Sequence, residues 1–184
     1  LRNMGQTELV EGKPASVFGI CQDVTDRHHL EKRLRSAANT DELTKIPNRA
    51  VYNEALRDMT RGEDNRSENF TLFLIDLNEF KWVNDTLGHP GGDELLVTVA
   101  ERLSNLEQIS LVARLGGDEF AVLRKEPTVG YAVTDFSTKL TDCFASPFRI
   151  GTQEVKVGAS IGAAHWPFHG DTIKSLTKNA DFAL

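Results

Sequence analysis

The sequence lacks the cysteine content of a disulfide-rich or zinc-binding domain. Its 184 residues include only Cys21 and Cys143, which are far apart and lack metal-ligand spacing. Such a pair indicates two thiols in a reducing compartment. A long apolar run is also missing, because FTLFLI at 70–75 is far below the roughly 20 residues that span a bilayer. We therefore expect a cytoplasmic domain without membrane contacts of its own, in a parent protein that could be membrane-anchored.

An excess of positive charge is absent as well. The chain has 21 basic and 27 acidic residues, which gives a formal net charge of −6 at pH 7. Such a chain has no broad positive field for coating a nucleic acid or an anionic membrane. We expect no nucleic-acid partner, and a phosphate-bearing ligand would need favourable interactions at its own binding site, because the overall charge does not attract it.

What the sequence does contain is a regular alternation of helices with strands. Hydrophobic residues make up 40% of the chain, enough for a sizeable core. One tight hairpin interrupts the alternation, which favours an α+β (mixed α/β) fold with a central, mostly antiparallel sheet flanked by helices. Periodicity predicts strands at 70–77, 110–115, 119–123 and 155–164, and helices through 51–59, at 78–88, 91–106 and 129–144, and from Thr172 onward.

The first 39 residues have a different pattern. Residues 7–25 indicate two extended segments around a Gly-Lys-Pro turn, too few strands to bury a face alone. Residues 26–39 carry leucine and alanine at helical spacing between charges, which predicts a connecting helix that pairs with a copy of itself. The main domain is accordingly expected to span 40–184.

Three carboxylates are the candidates for chemistry. Asp76 ends the apolar run at 70–75, while Asp118 and Glu119 follow two glycines between apolar segments. Taken alone, Asp76 could cap a helix, and the glycines with Asp118 could merely form a hairpin tip. If the hairpin strands lie beside the first strand, however, the acids crowd together and need a cation. Mg²⁺ suits such a site, because it takes one or two carboxylates and completes its coordination with substrate phosphates.

Four motifs in register resemble the GGDEF family, the diguanylate cyclases. They are DELTKIPNR at 41–49, DLNEFKWVNDTLGHPGGDELL at 76–96, RLGGDEF at 114–120 and GASIGAA at 158–164. The resemblance covers about 40–184 and implies a fold like the palm of nucleotide cyclases and polymerases. It also implies that two GTP molecules, held in the facing half-sites of a homodimer, condense to cyclic di-GMP and two pyrophosphates.

The resemblance implies roles for individual residues. Asp76, the backbone carbonyl of Leu77 and Asp118 would hold Mg²⁺, with Mn²⁺ as the alternative ion. Asp118 or Glu119 would accept the proton of the attacking hydroxyl, and the sequence does not choose between them. Gly116 and Gly117 would let a triphosphate approach the backbone closely.

Substrate contacts are implied for five further residues. Asn84 and Asp93 match the family's guanine-binding positions, and a carboxylate can accept from both N1–H and the 2-amino group of guanine, which adenine cannot offer. Without the resemblance, Asp93 would be a first-turn helix acid and Asn84 a solvated helix residue. The substrate-binding set also includes Phe80, Lys81 and His89. Phe80 is expected to be part of the core or of a pocket wall in either case, whereas the alternatives are a surface charge for Lys81 and a loop hydrogen bond for His89.

Other conspicuous residues are expected to be structural. Asp41, Arg49 and Arg114 are predicted to shape the entry loop and the hairpin, with Arg49 pairing with a nearby carboxylate. Trp82 and Trp166 are predicted to be packing residues and not stacking platforms for bases, because no basic stretch accompanies them.

The sequence departs from the family pattern in three places. Asn78 replaces the second acid of the usual D-x-D, a position outside the ligand set, so activity should survive. Glu107–Ser110 (EQIS) replaces an R-x-x-D that clamps the product in many members, so we expect no feedback site of that kind. The chain ends at NADFAL, within a helix, so the domain is expected to be truncated at its C-terminus.

Residues 1–25 resemble the final hairpin of a PAS sensor domain, which implies that an upstream sensor in the same chain regulates a cyclase through the 26–39 helix. Two alternatives to an active cyclase remain. One is a catalytically silent domain that binds GTP or cyclic di-GMP and regulates a neighbour. The other is a dimerising interaction domain driven by the 26–39 helix.

Overall fold

The computed structural model describes residues 2–10, 13–22, 39–61, 69–125 and 131–184. The chain divides into two compact units, Leu1–Ala38 and Asn39–Leu184. In the first unit, β1 (Arg2–Val10) pairs antiparallel with β2 (Lys13–Gln22). The two predicted extended segments are present, although the first begins earlier than expected. The predicted connecting helix at 26–39 lies, apart from Asn39, outside the described residues, and the likeness to a sensor hairpin stays a prediction.

The second unit is built on a four-stranded sheet of β3 (Phe70–Leu77), β4 (Leu111–Gly116), β5 (Glu119–Lys125) and β8 (Ala159–Trp166). The strand order is β4-β5-β3-β8. All three pairings in this sheet are antiparallel, so the predicted α+β fold with a mostly antiparallel sheet is confirmed. The helices of this unit are α1 (Arg49–Arg61), α2 (Phe80–Ser104), α3 (Tyr131–Ala145) and α4 (Ile173–Phe182).

The central strand β3 is buried on both faces. Its side chains alternate between two hydrophobic clusters, because successive residues of a strand point to opposite faces. Phe73, Ile75 and Leu77 pack in the cluster that includes residues of α2 and α3, whereas Phe70, Leu72 and Leu74 pack with residues of α1 and α4. The same alternation directs the carboxyl group of Asp76, the next residue of the second set, toward the face of α1 and α4.

Two differences from the predicted elements have physical causes. The predicted helices at 78–88 and 91–106 form one element, α2, with a break at Gly88, whose φ of 75° and ψ of 167° are not helical. The strand predicted at 155–164 is divided. A small hairpin of β6 (Phe148–Ile150) and β7 (Gln153–Val155) precedes β8, which begins only at Ala159. These three-residue strands are too short to leave a periodic signal.

Within the described ranges, no helix combines the length and apolarity needed to cross a membrane.

Candidate active site

The position of Asp76 follows from the register of the sheet. Asp76 lies opposite Glu119 of β5 on one side and opposite Ser160 of β8 on the other. Directly opposed residues of antiparallel strands project from the same face, with Cβ atoms about 4.5–5.5 Å apart. The carboxyl groups of Asp76 and Glu119 are therefore neighbours at the end of the central strand.

The hairpin between β4 and β5 brings the third acid to the same place. Gly116 and Gly117 have φ values of 140° and 54°, which glycine adopts without the steric cost of a Cβ. A Cβ at either glycine would meet no atom within 4 Å, so the tip is open to a ligand. Asp118, half-buried, follows directly and precedes the Asp76–Glu119 pair.

The electrostatics of Asp76 confirm that the acids are close. Partial burial raises the pKa of its carboxyl group, and the negative charges of Asp118 and Glu119 raise it further. If Asp76 only capped a helix, its carboxyl group would not lie close to two other carboxylates. The structure thus brings together Asp76, Asp118 and Glu119, which favours the crowded-carboxylate interpretation over the alternatives of a simple cap and a bare hairpin tip.

Two arginines hold the hairpin in this position. Arg49, at the start of α1, donates from Nε to the carbonyl of Leu115 at 2.7 Å and pairs with Glu119 Oε2 at 3.2 Å. Arg114 donates from Nε and Nη2 to the carbonyl of Gly117 at 3.0 and 2.7 Å, and from Nη1 to Asp41 Oδ1 at 2.9 Å. The predicted structural roles of Asp41, Arg49 and Arg114 agree with these contacts.

The donor set fits a magnesium ion that arrives with a nucleotide. Among the residues that the structure describes, no three His, Cys, Asp or Glu side chains lie close enough to hold a metal ion by themselves. Glu119 is paired with Arg49, and Asp76, Asp118 and the Leu77 carbonyl are the oxygen ligands that the sequence predicts for the ion. Mg²⁺ commonly binds through one or two carboxylates and fills its remaining positions with water and phosphate oxygens.

The predicted base-binding residues lie on the two parts of α2. Phe80 and Asn84 are half-buried and one helical turn apart, and both face Gly92. A Cβ at Gly92 would overlap Asn84 Oδ1 and would lie 3.3 Å from Cζ of Phe80. The Asn84 amide is therefore adjacent to the turn that carries the exposed carboxyl group of Asp93. This pair of polar groups beside an aromatic ring is suited to the edge of a purine.

The remaining predicted contacts are exposed. Lys81 and His89 both lie at the surface of α2, where either the substrate-binding or the alternative interpretation remains open. Trp166 is 7% exposed and stacks on Phe70, so its predicted packing role is confirmed. The same prediction for Trp82 is wrong. This side chain is 55% exposed, whereas the next residue of α2, Val83, is fully buried.

Sequence reasoning missed Ser160. Its hydroxyl donates to Asn78 Oδ1 at 2.9 Å, and the backbone N–H of Asn78 donates to the carbonyl of Gly158. Asn78, which stands where the family has an acid, is thereby bound to β8 beside Asp76. The sequence places Ser160 in the predicted late strand GASIGAA. A serine there has no distinctive chemistry, however, until the register shows that the late strand pairs with β3 at this position.

Comparison with known proteins assigns the family. Residues 38–184 match the family described as "Diguanylate cyclase, GGDEF domain". The chain therefore belongs to the GGDEF domain family, as its four motifs predicted.

Curated relatives differ in their named activities. Diguanylate cyclase TpbB of Pseudomonas aeruginosa is 37% identical over 153 residues, which cover 82% of this chain and 35% of TpbB. Cyclic di-GMP phosphodiesterase PdeR of Escherichia coli is 38% identical over 173 residues, which cover 91% of this chain and 25% of PdeR. The chain thus spans about a third or less of the length of these relatives.

A solved structure has the same fold. The crystal structure of a sensory box/GGDEF family protein from Caulobacter crescentus aligns with a TM-score of 0.70 and 36% identity. The alignment covers 79% of this chain and 95% of that one. The sheet order and helices described above are therefore those of a GGDEF domain.

Proposed function

We propose that this domain is a diguanylate cyclase that condenses two GTP molecules into cyclic di-GMP and two pyrophosphates. The observation that carries the proposal is the register of β3 and β5, which sets Asp76 opposite Glu119 with Asp118 beside them at an open glycine turn. Carboxylates crowded in this way are unfavourable unless a cation offsets their charge. A protein that performed no metal-dependent chemistry would gain stability by losing one of them.

The proposed reaction is a pair of identical displacements. The 3′-oxygen of one GTP forms a bond to the α-phosphorus of the other, and the bond from that phosphorus to the pyrophosphate oxygen breaks. Pyrophosphate leaves with the electron pair, and the hydroxyl proton passes to a carboxylate. Glu119 forms an ion pair with Arg49 and Asp118 is half-buried, and either acid is a candidate acceptor.

Magnesium, when bound through Asp76, Asp118 and the Leu77 carbonyl, would offset the phosphate charge and favour ionisation of the hydroxyl. Mn²⁺ is expected to substitute. Gly116 and Gly117 would admit the triphosphate, and Phe80, Lys81, Asn84, His89 and Asp93 would line the nucleotide. Asn84 and Asp93 would select guanine, because adenine would leave the Asp93 carboxylate without its two donors.

Each domain supplies one half-site, so the active species is proposed to be a homodimer. Control of the meeting of half-sites by an upstream sensor through residues 26–39 is part of the same proposal. The relative from Caulobacter crescentus, described as a sensory box/GGDEF family protein, supports it.

A silent regulatory domain is the second candidate. PdeR, a named phosphodiesterase, contains a segment 38% identical to this chain, so the family's sequence also occurs in proteins named for another activity. In that case the domain would bind GTP or cyclic di-GMP without turnover.

One assay separates the candidates. The full-length protein is incubated with GTP and Mg²⁺, and cyclic di-GMP and pyrophosphate are quantified. Asp118→Ala should lower turnover by at least about a hundredfold, because a charge-stabilising group of the transition state is lost. Asp58→Ala, an exposed acid of α1, is the matched control and should remain active. Binding of GTP without pyrophosphate release would favour the silent domain.

A further inference from the structure

The turn of α2 that carries Asp93 is weak by composition. It follows the break at Gly88 and consists of Pro90, Gly91 and Gly92 before Asp93. Each glycine in a helix costs about 1 kcal/mol relative to alanine, and neither contributes a side chain to hold the turn. The backbone position of Asp93 must therefore be fixed by neighbouring elements.

One restraint comes from the first part of α2. Asn84 and Phe80 pack directly against Gly92, as described above. This contact fixes one side of the turn at Gly92, and Leu87 of the same part of α2 lies directly against Gly91. The remaining restraint has to come from the other side.

The second restraint is the β6–β7 hairpin. Its Ile150 is 6% exposed and lies next to Gly91, where a Cβ would be 3.5 Å from Ile150 Cγ2. The turn residue Gly151 has a φ of 57°, and its N–H donates to both carboxylate oxygens of Glu94, at 3.2 and 3.1 Å. Glu94, the residue directly after Asp93, thus connects α2 to the turn of the hairpin.

A hairpin of two three-residue strands is not stable alone. This one is anchored at its base by the buried Phe148 and Val155. At its tip, the Gly151 N–H is hydrogen-bonded to the Glu94 carboxylate of α2. Loss of the Glu94 carboxylate would therefore remove the polar restraint between the Gly151 turn and the first turn of the second part of α2, while leaving the buried contacts of Phe148, Ile150 and Val155 in place.

We propose that Glu94 is a positioning residue for guanine recognition: by holding the β6–β7 turn on α2, it fixes the Asp93 carboxylate at the distance from Asn84 that the guanine edge requires. The inference rests on the proposed function, in which Asp93 accepts from the base. Glu94 itself would not touch the nucleotide. Its contribution should appear in the choice between bases more than in the fold.

Inosine triphosphate provides the probe, because it keeps the N1–H of guanine and lacks the 2-amino group. The ratio of kcat/KM for GTP to that for inosine triphosphate is measured with the full-length protein and Mg²⁺. Glu94→Ala should lower this ratio about three- to tenfold, mainly through KM for GTP, because a mobile Asp93 loses the second donor. Glu94→Gln keeps one acceptor oxygen for the Gly151 N–H and should restore most of the ratio.

Glu101→Ala, an exposed acid on the same helix, is the matched control and should leave the ratio unchanged. An equal loss of both activities in Glu94→Ala, with the ratio intact, would mean a structural role only and would overturn the inference. Because Glu94 is exposed, the variant should fold, and its unfolding midpoint checks this. A wild-type protein that does not prefer GTP would instead refute guanine recognition by the domain, which separates that failure from this one.

Discussion

At the scale of the residue, Asp76 shows that the candidate site is built at the expense of stability. Partial burial raises its pKa, and Asp118 and Glu119 raise it further. The folded state therefore binds the Asp76 proton more tightly than the unfolded state does. By linkage, the free energy of unfolding falls as pH rises from the ordinary value of 3.8 through the raised pKa.

Replacement of Asp76 tests this cost. Asp76→Asn should raise the free energy of unfolding at pH 7 by about 0.5–1 kcal/mol while abolishing the proposed cyclase activity. The gain should shrink toward pH 3, which is below the ordinary value of 3.8 and therefore below the raised pKa, because the wild-type carboxyl group is then protonated. Urea unfolding at both pH values measures it. Asp58→Asn, on the exposed surface of α1, should change stability by less than about 0.5 kcal/mol, and an equal gain there would contradict the explanation.

Asp41 has the opposite balance. Partial burial raises the pKa of its carboxyl group, but hydrogen bonds from the N–H and hydroxyl of Thr44 and from Arg114 lower it below 3.8 overall. Its stabilising effect is therefore present above pH 3.8 and is lost as pH falls through the lowered pKa.

Asp41→Asn should lower the free energy of unfolding at pH 7 by about 1–2 kcal/mol, because the Arg114 guanidinium loses a charged acceptor. The difference from wild type should be smaller at pH 3. Thermal unfolding at the two pH values is the measurement, and a loss that stays constant with pH would rule out the carboxylate as its source.

At this scale, the sequence predicted the kind of interaction that a residue makes more easily than the particular residue with which it interacts. The motif order indicated that Arg49 would pair with a nearby carboxylate, and the structure identifies Glu119, 70 positions further along the chain. Nothing local in the sequence selects Glu119 over the other acids, since the choice depends on how α1 is placed over the sheet. For Trp82 the predicted packing role was wrong, because aromatic character alone does not indicate which side of a helix faces the core.

At the scale of the element, Arg102 joins α2 to the end of α3. Its Nη1 donates to the carbonyls of Cys143 and Ser146 at 2.8 Å, and its Nη2 donates to that of Pro147 at 2.6 Å. The guanidinium also stacks on the ring of Phe148 at 3.8 Å from the centroid. A cation from one helix thus satisfies carbonyls at the C-terminus of another, where the helix dipole favours positive charge.

Arg102→Lys should therefore lower the free energy of unfolding by about 1–3 kcal/mol, because an ammonium group cannot reproduce the planar fork or the stacking. Arg57→Lys, an exposed position of α1, is the matched control and should be neutral. Urea denaturation of both variants provides the comparison. Equal stabilities would show that the three carbonyls are satisfied equally well by water.

Long periodic elements were predictable and short ones were not. The apolar run at 70–75 and the glycine pair at 116–117 predicted β3 and the β4–β5 hairpin to within two residues at each end. The β6–β7 hairpin was missed, since three-residue strands have no measurable alternation. Its existence depends on tertiary contacts, namely Phe148 in the core and Glu94 at the turn, which no local pattern encodes.

At the scale of the whole molecule, the sequence predicts an enzyme without one common type of feedback. Glu107 and Ser110 are exposed where many members have the arginine and the aspartate that bind the product. An acid at 107 repels a dianionic ligand. Added cyclic di-GMP at about ten times the concentration of the protein should therefore leave the initial rate of GTP turnover unchanged.

The double variant Glu107→Arg/Ser110→Asp is the informative comparison, because it restores the missing R-x-x-D and should become sensitive to product. Calorimetric titration of cyclic di-GMP into the wild-type protein provides an independent check. Tight binding that persists in Asp118→Ala and in the presence of excess GTP would reveal a separate product site and would contradict the prediction.

The enclosure of β3 between β5 and β8 has a consequence for the timescales of the domain. Amide hydrogens along this strand are shielded on both edges and should exchange with deuterated solvent only during global unfolding, whereas those of Gly117 and Asp118 should exchange through small local openings. Asp76 therefore lies on the strand whose amide hydrogens should exchange most slowly, whereas Asp118 lies at the hairpin tip, where exchange should be among the fastest. Nucleotide binding should be recorded as new protection at the hairpin tip, with the exchange of β3 left almost unaltered.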